Sequence, residues 1–205
     1  MRKMITVKIN GEERQYPQGA TYEDVANDYQ QEYENLIALA ARDGKIRELF
    51  KKLTRDCEVT FFTLKDDVGN KTYVRSATML FLKAVFDVYG REAARSCRVE
   101  FAIGNGSYIS PKGKINATEE NAAKIRNRMR ELVEAKTPFL KRSYSLDNAM
   151  ELFRKEGMKD KEKLFRYRRG SFVNIYEMDG YYDYYYGYML PNAGYVKWFD
   201  VIAYE

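Results

Sequence analysis

The sequence predicts an α+β protein, and the order of its predicted elements carries that prediction. In residues 1–64, short strands and tight turns surround a single helix. Beyond residue 73, helical segments and antiparallel strands follow one another in separate runs instead of alternating as β-α-β units. Segregation of this kind is typical of antiparallel or mixed sheets with helices packed on one side.

The amino-terminal segment has the periodicity and the turns of five strands and one helix. An alternating strand from Met4 to Ile9 leads into Asn10-Gly11, a pair that favours a two-residue type I′ turn. Thr21 and Asp24 form a capping-box pattern in front of the helix. The returning strand covers residues 13–16, and further strands are predicted at residues 36–41, 46–50 and 58–64. We expect a compact first domain, residues 1–64.

A change of composition separates this domain from the rest of the chain. Residues 65–73 are polar and contain Gly69-Asn70, so they predict a linker with a turn. Residues 76–89 predict a helix with apolar side chains on nearly all of its faces. Because such a helix is buried on several sides, we expect it to be the central helix of a second domain, residues 74–205.

The second domain is predicted to contain two further helices and a hairpin. Thr118 and Ser145 precede amphipathic segments as capping residues. Residues 99–103 predict a strand, and Gly104-Asn105-Gly106 after it matches part of a glycine-rich phosphate loop. The last glycine of that pattern is missing, which favours a plain hairpin turn.

Tyrosine is concentrated near the end of the chain, where eight of the eighteen tyrosines lie between Tyr176 and Tyr195. Turn residues at Asp179-Gly180 and at 191–194 divide this stretch into three predicted antiparallel strands, residues 172–178, 181–190 and 195–204. Tyrosines in strands usually pack their rings on a core. The alternative is a stacking platform for a nucleobase, because every base has a π-face. The sequence leaves both interpretations open.

The charge balance permits a nucleic-acid partner without requiring one. The chain has 35 basic and 30 acidic residues, for a net charge of +5. Its basic residues form two clusters, 124–130 and 161–169, which are able to face phosphate. Cys57 and Cys97 suit a reducing cytoplasm better than a disulfide framework. With no apolar run that suits a signal peptide or a membrane span, we expect a cytoplasmic protein that does not contact a membrane.

The sequence contains no histidine. Histidine is the side chain that most often carries protons near neutral pH and most often binds zinc. Its absence excludes Ser-His-Asp, Cys-His and His-metal chemistry for this chain alone. We therefore expect no metal site.

Four motifs of the first domain carry a resemblance to a known module. They are the Asn-Gly hairpin, the Gly-Ala-Thr helix start, the turn ARDGK and the strand VTFFTLKDD. Together they resemble the TGS domain, a ubiquitin-like β-grasp module of threonyl-tRNA synthetases, stringent-response enzymes and some GTPases. The resemblance implies a β-grasp fold and an RNA- or ligand-binding accessory role.

The second domain resembles the editing domain of threonyl-tRNA synthetase. The resemblance rests on RSATMLFLKAV, FAIGNGSYIS, the helix pair NAAKIRNRMRELVEAKTPF and SLDNAMELFRKEG, and YRRGSFVNIYEMDG with LPNAGYVKWFDVI. It implies an α+β domain in which an antiparallel sheet surrounds a buried helix. With the TGS domain, it covers Met4 to about Ile202.

The active centre of that family is not retained in this sequence. Its His-x-x-x-His pair aligns with Arg75 and Met79, and its Cys-x-x-x-His pair aligns with Tyr176 and Gly180. An aspartate of the same strand motif becomes Asn174. The resemblance therefore predicts no catalytic residue, no bound zinc and no hydrolysis of mischarged tRNA.

A TGS domain followed by a histidine-less editing-like domain also resembles the amino-terminal half of bacterial uridine kinase and phosphoribulokinase-family nucleoside kinases. This implies a non-catalytic, ligand-binding or regulatory module with a kinase domain in cis. The P-loop pattern is absent from these 205 residues, so ATP and Mg²⁺ are expected only in that separate domain and no cofactor in this chain. The ligand is expected to be a nucleotide, a nucleoside or tRNA.

By family position, five residues line the predicted cleft between the central helix and the tyrosine-rich sheet: Arg75, Asn105, Arg169, Asn174 and Tyr176. A guanidinium such as that of Arg75 can bind a phosphate or carboxylate through two hydrogen bonds. An ion pair within the protein is the alternative role for it.

Other functions remain as alternatives at the sequence level. One is an RNA- or tRNA-binding module, and another is a histidine-independent aminoacyl-tRNA deacylase. The nearest carboxylates for the deacylase are Asp179 and Asp183, which are predicted to be exposed in a turn with ordinary pKa values. A third is an oligomerisation element or interdomain spacer.

Overall fold

The structure is a computed structural model that describes residues 3–104, 106–168 and 170–204. The described residues fall into two compact units. Unit 1 is drawn from Met1–Ser76 and Tyr186–Pro191, and unit 2 from Ala77–Tyr185 and Asn192–Glu205. Both contain helices and sheets, so the predicted α+β class is confirmed.

Unit 1 contains a five-stranded mixed sheet, the helix α1 and the first turns of a longer helix. The strand order is β2-β1-β5-β3-β4, with β1 parallel to β5 and the other neighbours antiparallel. The helix, α1, follows β2 and begins with the predicted capping box between Thr21 and Asp24. The elements are β1 Met4–Ile9, β2 Glu12–Pro17, α1 Tyr22–Tyr29, β3 Ile37–Arg42, β4 Lys45–Glu48 and β5 Cys57–Thr63.

Two hairpin turns of unit 1 have the backbone that their sequences predict. Asn10 and Gly11 have φ values of 51° and 88°, and Asp43 and Gly44 have φ values of 49° and 75°. Positive φ at both central residues is the mark of the type I′ turn. The turns place β1 beside β2 and β3 beside β4.

The helix α2, Asp67–Ser96, is longer than the sequence predicted. The predicted turn at Gly69-Asn70 is wrong, because both residues lie in its first turns. A Cβ atom on Gly69 would lie 1.9 Å from the carbonyl oxygen of Thr63, so glycine allows the helix to begin close against the end of β5. The division between the units falls inside this helix, after Ser76.

The central part of α2 has the predicted apolar character on several faces. Met79, Leu80, Leu82, Ala84 and Val85 are all buried. Gly90 has a φ of 85° and interrupts the helical backbone before the last turns. None of the described helices has the length and apolar character needed to span a lipid bilayer.

Unit 2 contains a two-stranded and a three-stranded antiparallel sheet with three further helices. The three-stranded sheet has the order β10-β9-β8, and β6 pairs only with β7 among the described strands. Ile103 pairs with Gly106, which confirms the predicted hairpin. The elements are β6 Arg98–Ile103, β7 Gly106–Ser110, α3 Glu119–Glu134, β8 Leu140–Ser145, α4 Leu146–Lys155, α5 Lys159–Phe165, β9 Phe172–Met178 and β10 Tyr181–Asp183.

A hydrophobic cluster packs α4 and α5 on one face of the three-stranded sheet. The cluster consists of Ala149, Phe153, Met158, Phe165, Val173 and Ile175. Val173 and Ile175 are two positions apart on β9 and therefore share a sheet face. Phe153 and Phe165 lie with their ring centroids 5.3 Å apart. These rings fix the position of α5 and of the chain that follows it.

The predicted tyrosine sheet is only partly correct. The strand 172–178 and the Asp179-Gly180 turn are confirmed, the turn having φ values of 43° and 78°. The second strand stops at Asp183 instead of residue 190, and residues 195–204 form no described strand. Residues 186–191 belong to unit 1. The backbone of this segment forms hydrogen bonds with side chains of α2 and β4 instead of with a neighbouring strand.

Candidate functional site

Arg75, the first of the predicted ligand-binding residues, contacts the chain's own backbone. Its Nη1 donates a hydrogen bond of 2.7 Å to the carbonyl oxygen of Tyr188. Gly187 lies against the guanidinium so closely that a Cβ atom there would be 2.6 Å from Cζ. The half-buried side chain of Arg75 thus holds residues 187–188 within unit 1.

A second contact of α2 fixes the same segment. The buried hydroxyl of Ser76 accepts a hydrogen bond of 3.0 Å from the amide of Leu190 and donates one of 2.9 Å to the carbonyl of Thr72. The buried carboxylate of Glu48 accepts from the amide of Met189 at 3.4 Å. Ser76 and Glu48 thus accept hydrogen bonds from the backbone of residues 189–190, which is not part of a described strand.

Two of the four positions aligned with the editing centre, Met79 and Tyr176, are buried, and none of the four is a histidine or cysteine. Met79 and Tyr176 are both 0% exposed, and Gly180 is the second residue of the hairpin turn. The ammonium of Lys141 lies 5.3 Å from the centre of the Tyr176 ring, and the ring of Tyr185 lies 6.4 Å away. The Tyr176 ring is therefore enclosed by protein atoms and offers no exposed face to a base.

Of the other predicted ligand-binding residues, the structure describes Asn174 and Tyr176. Asn174 is exposed on β9 opposite Ser143, in unit 2, whereas Arg75 is in unit 1. Asn105 and Arg169 lie outside the described residues. Within the described ranges, no group of three or more Cys, Asp or Glu side chains could hold a metal ion.

Lys83 is a buried charged residue that the sequence patterns did not single out. Its ammonium lies 2.7 Å from a carboxylate oxygen of Asp87, 2.7 Å from the carbonyl oxygen of Asp179 and 3.1 Å from that residue's carboxylate. These acceptors compensate the cost of burying the charge. The contact attaches the β9–β10 turn to α2. The sequence signal that could have identified this buried charge is a lysine in the middle of an apolar helix.

Asp183 is buried, which corrects the prediction that it is exposed with an ordinary pKa. Burial raises the pKa of its carboxyl, opposed by the charges of Lys161 and Arg95 at 4.0 Å and by hydrogen bonds from Tyr184 and Tyr181. The Tyr184 amide donates to it at 2.7 Å and the Tyr181 hydroxyl at 3.2 Å. The side chain of Asp179, by contrast, is 67% exposed.

Arg95 links the end of α2 to two other parts of unit 2. Its guanidinium donates to the carbonyl oxygens of Tyr182 at 2.7 Å and Glu156 at 3.2 Å. The buried carboxylate of Glu156 also lies 3.5 Å from Arg91. The polar groups around Asp183 thus form a structural cluster between helices α2, α4 and α5 and strand β10.

Three of the four basic residues on α3 are paired with acidic neighbours. Lys124 is paired with Glu120 at 2.7 Å, Arg126 with Asp200 at 3.0 Å, and Arg128 with Asp87 at 2.8 Å. The positive charge of this cluster is therefore largely neutralised within the protein. Of the two basic clusters predicted to face phosphate, the one that includes α5 is the better candidate.

Comparisons with known proteins give one consistent result. No protein-family model matches the chain. It is 28% identical over 208 residues to a threonine–tRNA ligase of Thermotoga neapolitana, covering 98% of this chain and 31% of that protein. The corresponding figures are 28% over 207 residues for Thermotoga maritima, with 97% and 30% covered, and 25% over 194 residues for Porphyromonas gingivalis, with 92% and 29% covered.

These relatives confirm the resemblance to threonyl-tRNA synthetase over almost the whole chain. The chain spans about a third of the length of the curated relatives it matches. None of the three relatives is named as a kinase. The predicted uridine kinase parent and a kinase domain in cis are without support.

Proposed function

We propose that the chain is a tRNA-binding module that does not hydrolyse aminoacyl-tRNA. The observation that carries the proposal is the similarity over 98% of the chain to an enzyme named for its action on tRNA, combined with buried Met79 and Tyr176 at the aligned catalytic positions. Binding to tRNA requires surface charge and shape. A protein can keep this surface charge and shape after it has lost its catalytic residues.

In this proposal unit 1 is a β-grasp domain of the TGS type. Its strand order β2-β1-β5-β3-β4, the parallel pairing of β1 with β5 and the helix after β2 support that assignment. The domain would be an accessory for RNA binding. Unit 2 would correspond to the editing-like domain, and its antiparallel sheet and the helices α3 and α4 support that assignment.

The chemistry of the site supports a binding role over a catalytic one. Acid-base catalysis needs a group that reaches the substrate and has a pKa near the working pH. The chain has no histidine, and Met79 and Tyr176 are inaccessible. A thioether carries no proton to transfer, and the Tyr176 phenol, at 0% exposure, has no access to a tRNA ester bond.

A histidine-independent deacylase is the second candidate, and one observation favours it. Burial raises the pKa of the Asp183 carboxyl, a property shared with many catalytic acids. Its 8% exposure and its hydrogen bonds from Tyr181 and Tyr184 favour a structural role. Hydrolysis that is lost in Asp183→Asn would support this candidate.

Two assays on the purified chain test the proposal. Fluorescence anisotropy with labelled tRNA specific for threonine should show saturable binding that weakens as salt is raised. Unrelated tRNA and a DNA duplex of similar length are the controls. Incubation with seryl-tRNA and threonyl-tRNA should give no hydrolysis above the uncatalysed rate. Absence of tRNA binding at low salt, or ester cleavage by the wild-type chain, would contradict the proposal.

A further inference from the structure

One surface of unit 2 combines exposed aromatic and basic side chains. It lies at the end of α5 and consists of Lys163, Leu164, Arg166, Tyr167 and Arg168, here called the α5 surface. Tyr167 is 84% exposed and Leu164 is 63% exposed. Tyr167 also has an arginine on either side in the sequence.

The residues on either side of Tyr167 each donate a backbone hydrogen bond. The amide of Arg166 donates to the carbonyl of Glu162 at 3.2 Å, and the amide of Arg168 donates to the carbonyl of Phe165 at 3.1 Å. Phe165 is itself buried between Phe153 and Tyr184. The backbone that carries Tyr167 is therefore attached to the hydrophobic cluster of unit 2 through Phe165, which lowers the cost of ordering this segment on binding.

Three side chains of the α5 surface lie at the carboxyl end of α5. Lys163 is in the last turn of the helix, Arg166 follows its last residue with dihedral angles of φ −55° and ψ −33°, and Tyr167 comes next. All three residues are exposed. An ammonium and a guanidinium therefore lie close to the exposed ring in the sequence, at the same end of the helix.

Arg168 is used differently from Arg166. Its guanidinium lies 5.0 Å from the centre of the Phe165 ring, and its Nη1 donates to the Tyr184 hydroxyl at 3.3 Å. It packs against the body of unit 2 and supports the turn that carries Tyr167. Its charge still adds to the positive potential of the surface.

The acidic residues of this region are already engaged. Residues 159–168 contain five basic and two acidic side chains. Asp160 pairs with Lys161 at 3.2 Å and with Arg98 at 3.9 Å, and Glu162 pairs with Arg154 at 2.9 Å. Within residues 3–104, 106–168 and 170–204, Lys163 and Arg166 form no ion pair with a carboxylate. Their charges remain available to an anionic partner.

We propose that the α5 surface binds an unpaired stretch of RNA, with Tyr167 stacking on a base and Lys163 and Arg166 contacting the adjacent phosphates. This inference rests on the proposed tRNA-binding function and assigns it a surface. Stacking accepts any base, and the flanking cations follow the backbone. In the α3 cluster, by contrast, Lys124, Arg126 and Arg128 are already paired to carboxylates.

The test compares the wild-type chain with single variants in the tRNA anisotropy assay. Tyr167→Ala should lower affinity by roughly 5- to 100-fold, and Tyr167→Phe should retain it, because the ring supplies the stacking energy. Lys163→Ala and Arg166→Ala should each reduce the slope of log affinity against log salt by about 0.7. Lys124→Ala is the control for charge, and Tyr204→Ala, on a residue 56% exposed, is the control for aromatic loss.

A second arm uses a short single-stranded RNA and a blunt RNA duplex of the same length. The inference expects the single strand to bind more tightly and to depend on Tyr167. If tRNA binds the wild type and Tyr167→Ala equally well, the α5 surface is overturned while the proposed function stands. If the wild type binds neither tRNA nor single-stranded RNA, both fail. Association with anionic lipid vesicles that needs Tyr167, without RNA binding, would also overturn the inference.

Discussion

The ammonium of Lys83 lies 2.7 Å from the main-chain carbonyl oxygen of Asp179, and the two residues are 96 positions apart. The side chain of Lys83 is 3% exposed, and its other close acceptors are the carboxylates of Asp87 and Asp179. A buried cation with three oxygen acceptors joins a helix to a hairpin turn. The same turn contains Gly180, which aligns with a position of the editing centre.

Lys83→Ala is expected to destabilise the protein by about 1–3 kcal/mol, because the Asp179 carbonyl loses its donor and Asp87 keeps only its pair with Arg128. Urea unfolding followed by circular dichroism measures the change. Asp179→Asn should cost less than about 1 kcal/mol, since that carboxylate is largely exposed and the carbonyl contact persists. Equal losses in both variants would contradict this account of the contact.

Gly187→Ala is expected to destabilise unit 1 by about 2 kcal/mol. Gly187 has a φ of 128°, which a side chain rarely adopts, and a Cβ atom would lie 2.6 Å from Cζ of Arg75. Thermal unfolding measures the loss. Gly113→Ala is the matched control. Gly113 also has a positive φ, 75°, but no atom lies within 4 Å of the added Cβ, so this variant measures the cost of the backbone conformation without the steric contact.

The contact between Gly187 and Arg75 also predicts non-additivity. In an Arg75→Ala background, Gly187→Ala should be less harmful, because the guanidinium that meets the new methyl group is gone. Strict additivity of the two variants would show that the backbone conformation alone accounts for the loss.

Asp183→Asn is expected to stabilise the protein at neutral pH relative to wild type. Burial raises the folded-state pKa of Asp183 above the usual 3.8, so the unfolded carboxyl ionises first as pH rises. The stability that Asp183 contributes is fully present below pH 3.8 and is lost as pH rises through its folded-state pKa. Denaturant titrations between about pH 3 and pH 7 should therefore show the difference between variant and wild type growing with pH.

Asp200→Asn is a control with the opposite sign. Hydrogen bonds from the Val201 amide and Arg126 lower the pKa of the Asp200 carboxyl. Its stabilising effect is present above its unfolded-state pKa and is lost on acidification. A stability difference for Asp183→Asn that does not change with pH would contradict a raised pKa.

The features that sequence predicted best are those with local causes. The turns at Asn10-Gly11 and Asp179-Gly180 depend on the φ preferences of two adjacent residues, and both formed as predicted. The cap at Thr21 depends on a residue three positions away. Such interactions are short in sequence and need no knowledge of the tertiary fold.

The features that sequence missed depend on distant partners. No strand forms where one was predicted beyond Asp183. Instead, the Tyr188 carbonyl accepts a hydrogen bond from Arg75, 113 positions away, and the Leu190 amide donates one to Ser76, 114 positions away. The burial of Asp183 depends on Arg95 and Lys161, which no local pattern connects to it. For the candidate site, the alignment identified Met79 and Tyr176, whereas the α5 surface required the exposure of Tyr167 to be known.

Ser76→Ala is expected to destabilise unit 1 by about 1–3 kcal/mol, although the change removes a single oxygen atom. The Ser76 hydroxyl is buried and accepts from the Leu190 amide at 3.0 Å, so alanine leaves a buried N–H without its acceptor. Hydrogen exchange should show faster exchange at Leu190 than in wild type, together with a lower urea midpoint. Ser143→Ala, at an exposed position of β8, is the control and should change neither. Unaltered exchange at Leu190 in Ser76→Ala would show that another group holds residues 186–191 in place.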